Sequence, residues 1–298
     1  MIGFFNMLKP PGMTSHDVVS RLRRITGIRK IGHAGTLDPE AAGVLPVGIG
    51  FATKMIPYLD HSQKTYLAEM VLGVTSDTQD LTGRIISTDE HIPDERTVRE
   101  VLMGFVGTYW QVPPMYSAVK RNGKKLYELA RRGETVSRSP RLKTIYGIDW
   151  LAMNKNCVRF NVICSEGTYI RTLCHDIGQQ LKCGAALGIL LRTQSCGFGI
   201  NEAVTLEELD QKRARETHLI PVDTALRHYP PIIVQGDESK ALLHGAASIH
   251  YALHDEFVNE GQTLMEGYVR VYLSDRFFGI GQMHRSQELL IMKKRIAL

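Results

Sequence analysis

Between Lys30 and Gly50 the chain reads K-I-G-H-A-G-T-L-D-P-E-A-A-G-V-L-P-V-G-I-G, and these 21 residues hold five glycines, two prolines, one histidine and one aspartate. Gly32, Gly35 and Gly43 allow positive φ without steric cost, so the backbone can turn sharply and approach a ligand closely. Pro39 fixes its own φ and drives Asp38 out of the helical region. A loop restricted in this way presents Asp38 and His33 in set directions, which makes Asp38 the candidate reactive carboxylate. Taken alone, an aspartate before proline is more often the local hydrogen-bond acceptor of a turn, and His33 could equally be a brace.

Other residues could join this loop. Tyr66, in K-T-Y-L, is either a platform for a ligand or an ordinary strand aromatic. Tyr169 and Arg171 are either site residues or packing and surface charge at a helix start. No dinucleotide loop, phosphate loop, G-x-S-x-G or H-E-x-x-H pattern occurs, so the chemistry is expected to run on side chains without a cofactor. Five cysteines with no C-x-x-C argue against a disulfide framework and a zinc site; they read as small buried hydrophobes. His250 and His254 share helical spacing but lack companion ligands, so no metal is expected.

Charge is unevenly distributed. Lys120 to Lys143 contains nine Lys/Arg against Glu128 and Glu134, and Arg21 to Lys30 contains five basic residues and no acid. Such clusters suit a polyanion such as RNA, or a solvated helix face. No apolar run reaches the ~18–20 residues of a membrane span, and the start lacks a signal-peptide pattern, so a cytoplasmic protein is expected.

The elements that must position these residues follow from periodicity. Met1 to Gly12 reads as a first strand and turn. Thr14 or Ser15 caps a helix through Ile25, with Val18, Leu22 and Ile25 on one face and Gly27 as terminator. Strands are expected at 44–49, 65–74, 84–88, 141–152 and 157–164. Helices are expected at 93–105, after the Pro-Pro turn at 113–114 with Leu126, Leu129 and Ala130 inward and an end near Gly133, and from 170 to Gly184. Thr205 with Glu208 forms a capping box for a further short helix. Composition changes at 221–231, and a short helix with three strand-like runs follows (267–273, 276–283, 287–295). The chain therefore divides into a large α+β domain, 1–228, with a mixed, mainly antiparallel sheet and flanking helices, and a small β-rich domain, 229–298.

In combination the motifs carry a resemblance. G-H-A-G-T-L-D-P (32–39) with A-G-V-L-P-V (42–47) closely resembles the signature of the bacterial tRNA pseudouridine synthases that act on uridine 55 of the T-loop. Lys9-Pro10-x-Gly12 with Ser15, Lys64-x-Tyr66, T-x-D-x-x-G (78–83), P-P-M-Y-S-A-V-K (113–120), G-K-K-L-Y-E-L-A-R-x-G (123–133), S-E-G-T-Y-I-R-T-L (165–173) and L-x-R (190–192) match the same family in order. The tail, with L-L-H-G (242–245) and R-V-Y-L-S-D-R-F-F-G-I-G (270–281), is similar to a PUA RNA-binding module. Glu40 and Ala42 depart from the apolar residue and threonine expected there, and Thr193 from a second arginine.

The resemblance implies an intramolecular transferase needing neither cofactor nor metal. It implies Asp38 as the group acting on the sugar, Arg171 as its partner, and Tyr66 as the ring stacking on the uracil. It places His33 in the space left by a flipped base. Lys9, Lys64, Asp80, Tyr169, Leu190, Lys120, Lys124, Lys125, Arg131 and Arg132 are the further substrate contacts implied. The partner implied is the T-stem-loop of tRNA, with no obligatory protein partner. Two other readings stay open: an RNA-binding or tRNA-folding factor with secondary or no catalysis, and a guide-RNA-dependent synthase.

Overall fold

Alternation in Q-K-T-Y-L-A-E-M-V-L builds the strand on which the site rests. In the computed structural model, which describes residues 1–121, 123–250 and 266–296, the strand β4 (Gln63–Leu72) buries Lys64, Tyr66, Ala68, Met70 and Leu72 on one face, as a half-buried strand must. It is central to a nine-stranded sheet whose main path runs β1 (Gly3–Lys9), β3 (Ala42–Ile49), β12 (Ala185–Ser195), β4, β11 (Cys157–Ser165), β10 (Arg141–Asn154) and β7 (Gly107–Gln111). The short β2 (Ile31–His33) pairs with β3, and β13 (Phe198–Gly199) with β12. Only β3 and β12 run parallel among the pairs of this sheet in the described residues; the rest are antiparallel. The expected α+β class with a mixed, mainly antiparallel sheet is what the chain forms.

The helix α1 (Ser15–Thr26) starts on the reciprocal bonds of a Thr14–Asp17 capping box and ends at Gly27 with φ +71°, the left-handed cap that glycine adopts freely. Val18, Val19 and Leu22 pack it on β1 and β3. Farther along the sheet α4 (Ile170–Leu181) and α2 (Glu95–Met103) cover β4 and β11. Leu173, Ile177, Val98 and Leu102 meet Met70, Phe160 and Val162 there. Stability and site share this core, because Leu37 and Ala41 of the glycine-rich loop belong to it.

Among the described residues the tail forms its own five-stranded sheet, in the order β14 (Pro231–Val234), β16 (Gly267–Leu273), β17 (Arg276–His284), β18 (Leu289–Arg295), β15 (Ser248–His250). Val234, Leu242, Val271, Phe278 and Leu290 fill its own core. It touches the main sheet's unit through Ile280, packed with Phe4, Met55 and Leu226, and through Arg270 Nη1, which donates to the Asp223 carbonyl at 3.3 Å.

Some expected elements differ. The helix expected up to Gly133 shrinks to α3 (Leu126–Ala130), preceded by a hairpin of β8 (Lys120–Arg121) and β9 (Lys124–Lys125); adjacent cations favour an extended, solvated ribbon over a helix face that would crowd them. Thr205 and Glu208 do exchange their capping bonds, but these enclose one 3-10 turn, Glu208–Asp210. Of the pair His250 and His254, His250 lies in a strand, and His254 lies outside the described residues. All five cysteines are free, four of them buried, and among the described residues no cluster suited to a metal occurs. No described helix is long and apolar enough to cross a membrane.

Candidate active site

The glycine-rich loop is clamped through its carbonyls. Arg192 Nη2 donates to Gly35 O at 2.9 Å, its Nη1 to Thr36 O at 3.4 Å and its Nε to Val44 O at 2.7 Å. Ser15 Oγ takes both ends of Leu37, accepting from its N–H at 2.9 Å and donating to its carbonyl at 3.2 Å. Asp38 O accepts from Ala41 N–H at 3.2 Å. Lys9 Nζ donates to Pro39 O, Pro10 O and Met13 O at 2.9, 2.8 and 2.6 Å. Every carbonyl from Gly35 to Pro39 is thus engaged, which removes the loop's freedom and holds the partly exposed Asp38 side chain in a set direction.

Two glycines are required by this packing. Gly43 has φ +111°, and a Cβ there would meet Arg192 O at 2.2 Å, because β3 and β12 backbones touch. Gly35 has φ +79° and lies against the Lys64 ammonium and the Arg192 guanidinium.

Asp38 meets Arg171 at 2.9 Å, carboxylate Oδ2 to Nε. Arg171 is buried at the start of α4, while the Asp38 side chain is 45% exposed, so the pair is fixed from one side and open from the other. The remaining nitrogens of Arg171 are used as well. Nη1 donates to Thr78 O at 2.9 Å and lies 3.6 Å from Asp80 Oδ2, and Nη2 donates to Tyr116 O at 2.8 Å. Asp80 is itself held by Thr78 Oγ1 at 2.7 Å and Thr82 N–H at 3.0 Å.

Tyr66 is buried beside Arg192, its register partner on β12. Burial pushes its phenol up to about 12, with Arg192 opposing, so the ring is neutral at physiological pH. His33 is held below the ordinary histidine range, first by burial and then by the charges of Arg192 and His16. Its Nδ1 is buried with no hydrogen-bond partner among the described residues. A neutral ring of this kind presents a face for stacking. Tyr169, pushed up by burial, caps α4 two residues before Arg171. Leu190 is half-buried and packs on the core under β4.

Lys9 has a different part from the expected substrate contact. Its ammonium is fully buried and spent on three carbonyls, and burial lowers it to about 8; it braces the loop. Lys64 is buried too, 3.7 Å from Glu166 Oε1. Lys120, Lys124, Arg131 and Arg132 are exposed on the hairpin and beyond α3, and Lys125 lies over the Tyr127 ring at 5.4 Å.

Two further residues gain a role only in three dimensions: Arg192, the last residue of L-x-R, and His61. His61 Nδ1 lies 3.6 Å from Cys196 Sγ and 3.4 Å from Glu166 Oε1. The Cys196 contact foremost, with the Ile56 carbonyl and Glu166, raises it to about 9 against the opposing effect of burial. A raised folded value means the imidazolium adds stability that is fully present below the ordinary value near 6.5 and is lost as pH rises through about 9. Denaturant midpoints of wild type and His61→Gln should therefore converge between pH 6.5 and 9; a constant gap across that window contradicts the assignment.

Known proteins give this geometry a setting. Residues 23–170 match the model described as TruB family pseudouridylate synthase (N terminal domain), and residues 171–227 match the tRNA pseudouridylate synthase B C-terminal domain. A tRNA pseudouridine synthase B of Alkaliphilus oremlandii is 46% identical over 282 residues, 94% of this chain and 93% of the relative. That of Syntrophotalea carbinolica is 49% identical over 249 residues, 82% of this chain and 81% of the relative. Among solved structures, the crystal structure of a Cbf5-Nop10-Gar1 complex superimposes with a TM-score of 0.73 at 27% identity, covering 98% of this chain and 84% of that one. With relatives of this identity matched over nearly their whole length, the chain belongs to the TruB family of pseudouridylate synthases.

Proposed function

We propose that this chain isomerises uridine 55 in the T-loop of tRNA to pseudouridine, with Asp38 as the group that acts on the ribose. The reaction breaks C1′–N1, turns the freed uracil and joins C5 to C1′; N1 gains a proton and C5 gives one to solvent. Nothing is oxidised and no group leaves, so the side chains described suffice. Breaking the glycosidic bond develops positive charge on the ribose, and a carboxylate meets it by covalent attack, by charge stabilisation or by taking a sugar proton. The observation that carries the reading is the Asp38–Arg171 pair at 2.9 Å, buried on the arginine side and open on the aspartate side.

Supporting residues follow from the same arrangement. The neutral Tyr66 ring is proposed to stack on the uracil and keep it from escaping while it turns. Uridine in a folded T-loop has to be flipped out at a cost of a few kcal/mol, and His33 is proposed to fill the space. His33→Ala should weaken binding of a T-stem-loop about 10-fold, as expected for loss of one stack worth ~1–3 kcal/mol, with a smaller effect on the bound-state rate than Asp38→Ala. Filter binding that gives wild-type affinity contradicts this part. The cations of β8, β9 and 131–132 are proposed to meet phosphates, and residues 229–298 to form a separate RNA-binding module of PUA type.

The test is tritium release from a T-stem-loop carrying 5-³H-uridine, with the purified chain alone. Release is expected without added RNA or protein. Release only after a guide RNA and partner proteins are supplied would favour the guide-dependent reading, and binding without release the folding-factor reading.

A further inference from the structure

Gln111 ends β7 with its side chain on the buried face, 1% exposed. Both amide protons and the amide oxygen are engaged. Oε1 accepts from Tyr169 N–H at 2.8 Å, and Nε2 donates to Tyr169 O at 3.0 Å and to the Tyr109 hydroxyl. Tyr169 is the N-cap of α4 and makes no side-chain cap bond of its own; Gln111 from the sheet edge takes the N-cap residue's own N–H, the donor that an N3 side chain satisfies in a capping box. Arg171 follows two residues later. On the other side of Gln111, five residues on, the Tyr116 carbonyl accepts from Arg171 Nη2. Gln111 therefore ties together two backbone segments that both hold the same guanidinium.

We propose that Gln111 is a positioning residue for the isomerisation: its amide locks the end of β7 to the start of α4 and so sets Arg171 against Asp38. The inference rests on the reading of that pair as the reacting centre. A buried amide that clasps both the N–H and the carbonyl of one residue fixes the two peptide planes that flank it, and no other side-chain type does so at this length. Sub-ångström placement matters here, since a shift of ~1 Å in a reacting group can cost about 100-fold in rate.

Two variants test it, read by single-turnover tritium release and by stem-loop affinity. Gln111→Met keeps the volume and removes all three bonds. Its single-turnover rate should fall about 100-fold, with affinity within about 3-fold of wild type. Gln111→Glu is isosteric. Ionised, its oxygen faces the Tyr169 carbonyl and repels it; protonated, it regains the donor. The groups around that position are Tyr109 on β7, Arg141 paired with position 111 on β10, Cys164 on β11, Cys174 and Asp176 on α4, Arg171, and Asp38 on the glycine-rich loop. Burial, Asp176 and Asp38 favour the neutral acid, and the two arginines favour the ion.

The Gln111→Glu rate should therefore approach wild type at low pH and fall toward the Gln111→Met level as pH rises, relative to wild type at each pH. Gln111→Met should run parallel to wild type. A merely structural role predicts lower melting temperatures and equal losses of affinity and rate, without this pH-dependent rescue. Wild-type rates in both variants, or a Gln111→Glu loss independent of pH, overturn the proposal; if Gln111→Met does not fold, the Gln111→Glu profile decides alone. Failure of the underlying reading shows separately, as a wild-type chain that releases no tritium.

Discussion

Asp38→Asn should lower the single-turnover rate of tritium release by about 10⁴-fold or more, the scale on which removal of a reacting group is felt, while leaving T-stem-loop affinity within a few-fold. Asparagine keeps the shape and can still sit against the guanidinium, so the loop has no reason to move. Its carbonyls stay clamped by Arg192, Ser15 and Lys9. What is lost is the negative charge and the electron pair that the developing ribose cation needs. Comparable losses of affinity and rate would make Asp38 a binding residue, and near-normal release would remove it from the reaction.

Arg171→Lys should cost about 10³-fold in the same assay, within the range seen when a preorganised electrostatic partner is removed, although charge is conserved. Arg171 uses three nitrogens in three directions: Nε to Asp38, Nη1 to Thr78 O, and Nη2 to Tyr116 O. A lysine ammonium is one atom on a flexible stem and cannot span these positions. It would settle on some acceptors and leave the others in a buried setting without a donor, at about 1–3 kcal/mol for each. The variant should accordingly melt lower than wild type, and turnover near wild type would show that the planar fork is not needed.

Much of this site was legible because its motifs are local. Asp-Pro and the glycines between 32 and 43 describe a stiff turn whatever lies around it, and Thr14 with Gly27 bounds α1 by capping chemistry alone. The strand β4 announced itself by alternation. By contrast β12 lies hidden in A-A-L-G-I-L-L-R-T-Q-S, where two bulges, between Leu187 and Ile189 and between Arg192 and Gln194, break the period of two. Arg192 was consequently visible as a motif letter and invisible as the clamp of a loop some 150 residues earlier in the chain. The edge strand β7 was missed for a related reason, since five residues beside a Pro-Pro turn give no periodic signal.

Side-chain roles followed the same division. The pairing of Asp38 with Arg171 came from the family resemblance, and the distance of 2.9 Å agrees with it. Lys9 shows the limit of that route: a motif lysine reads as a substrate contact, but only three dimensions reveal that its ammonium is spent on three carbonyls. Gln111 and His61 act through partners 58 and over 100 residues away, and a linear reading holds nothing that joins such positions.

The central claim is that the clamped loop presents Asp38 to Arg171 as one reacting unit. The measurement that tests it most directly is a double-mutant cycle of single-turnover tritium release with Asp38→Glu, Arg171→Lys and the double variant. Residues that act as a unit lose their shared contribution once, so the double variant should be no more than a few-fold slower than the slower single variant. Losses that simply multiply would mean that the two side chains contribute independently, and that the contact between them is not what makes the site.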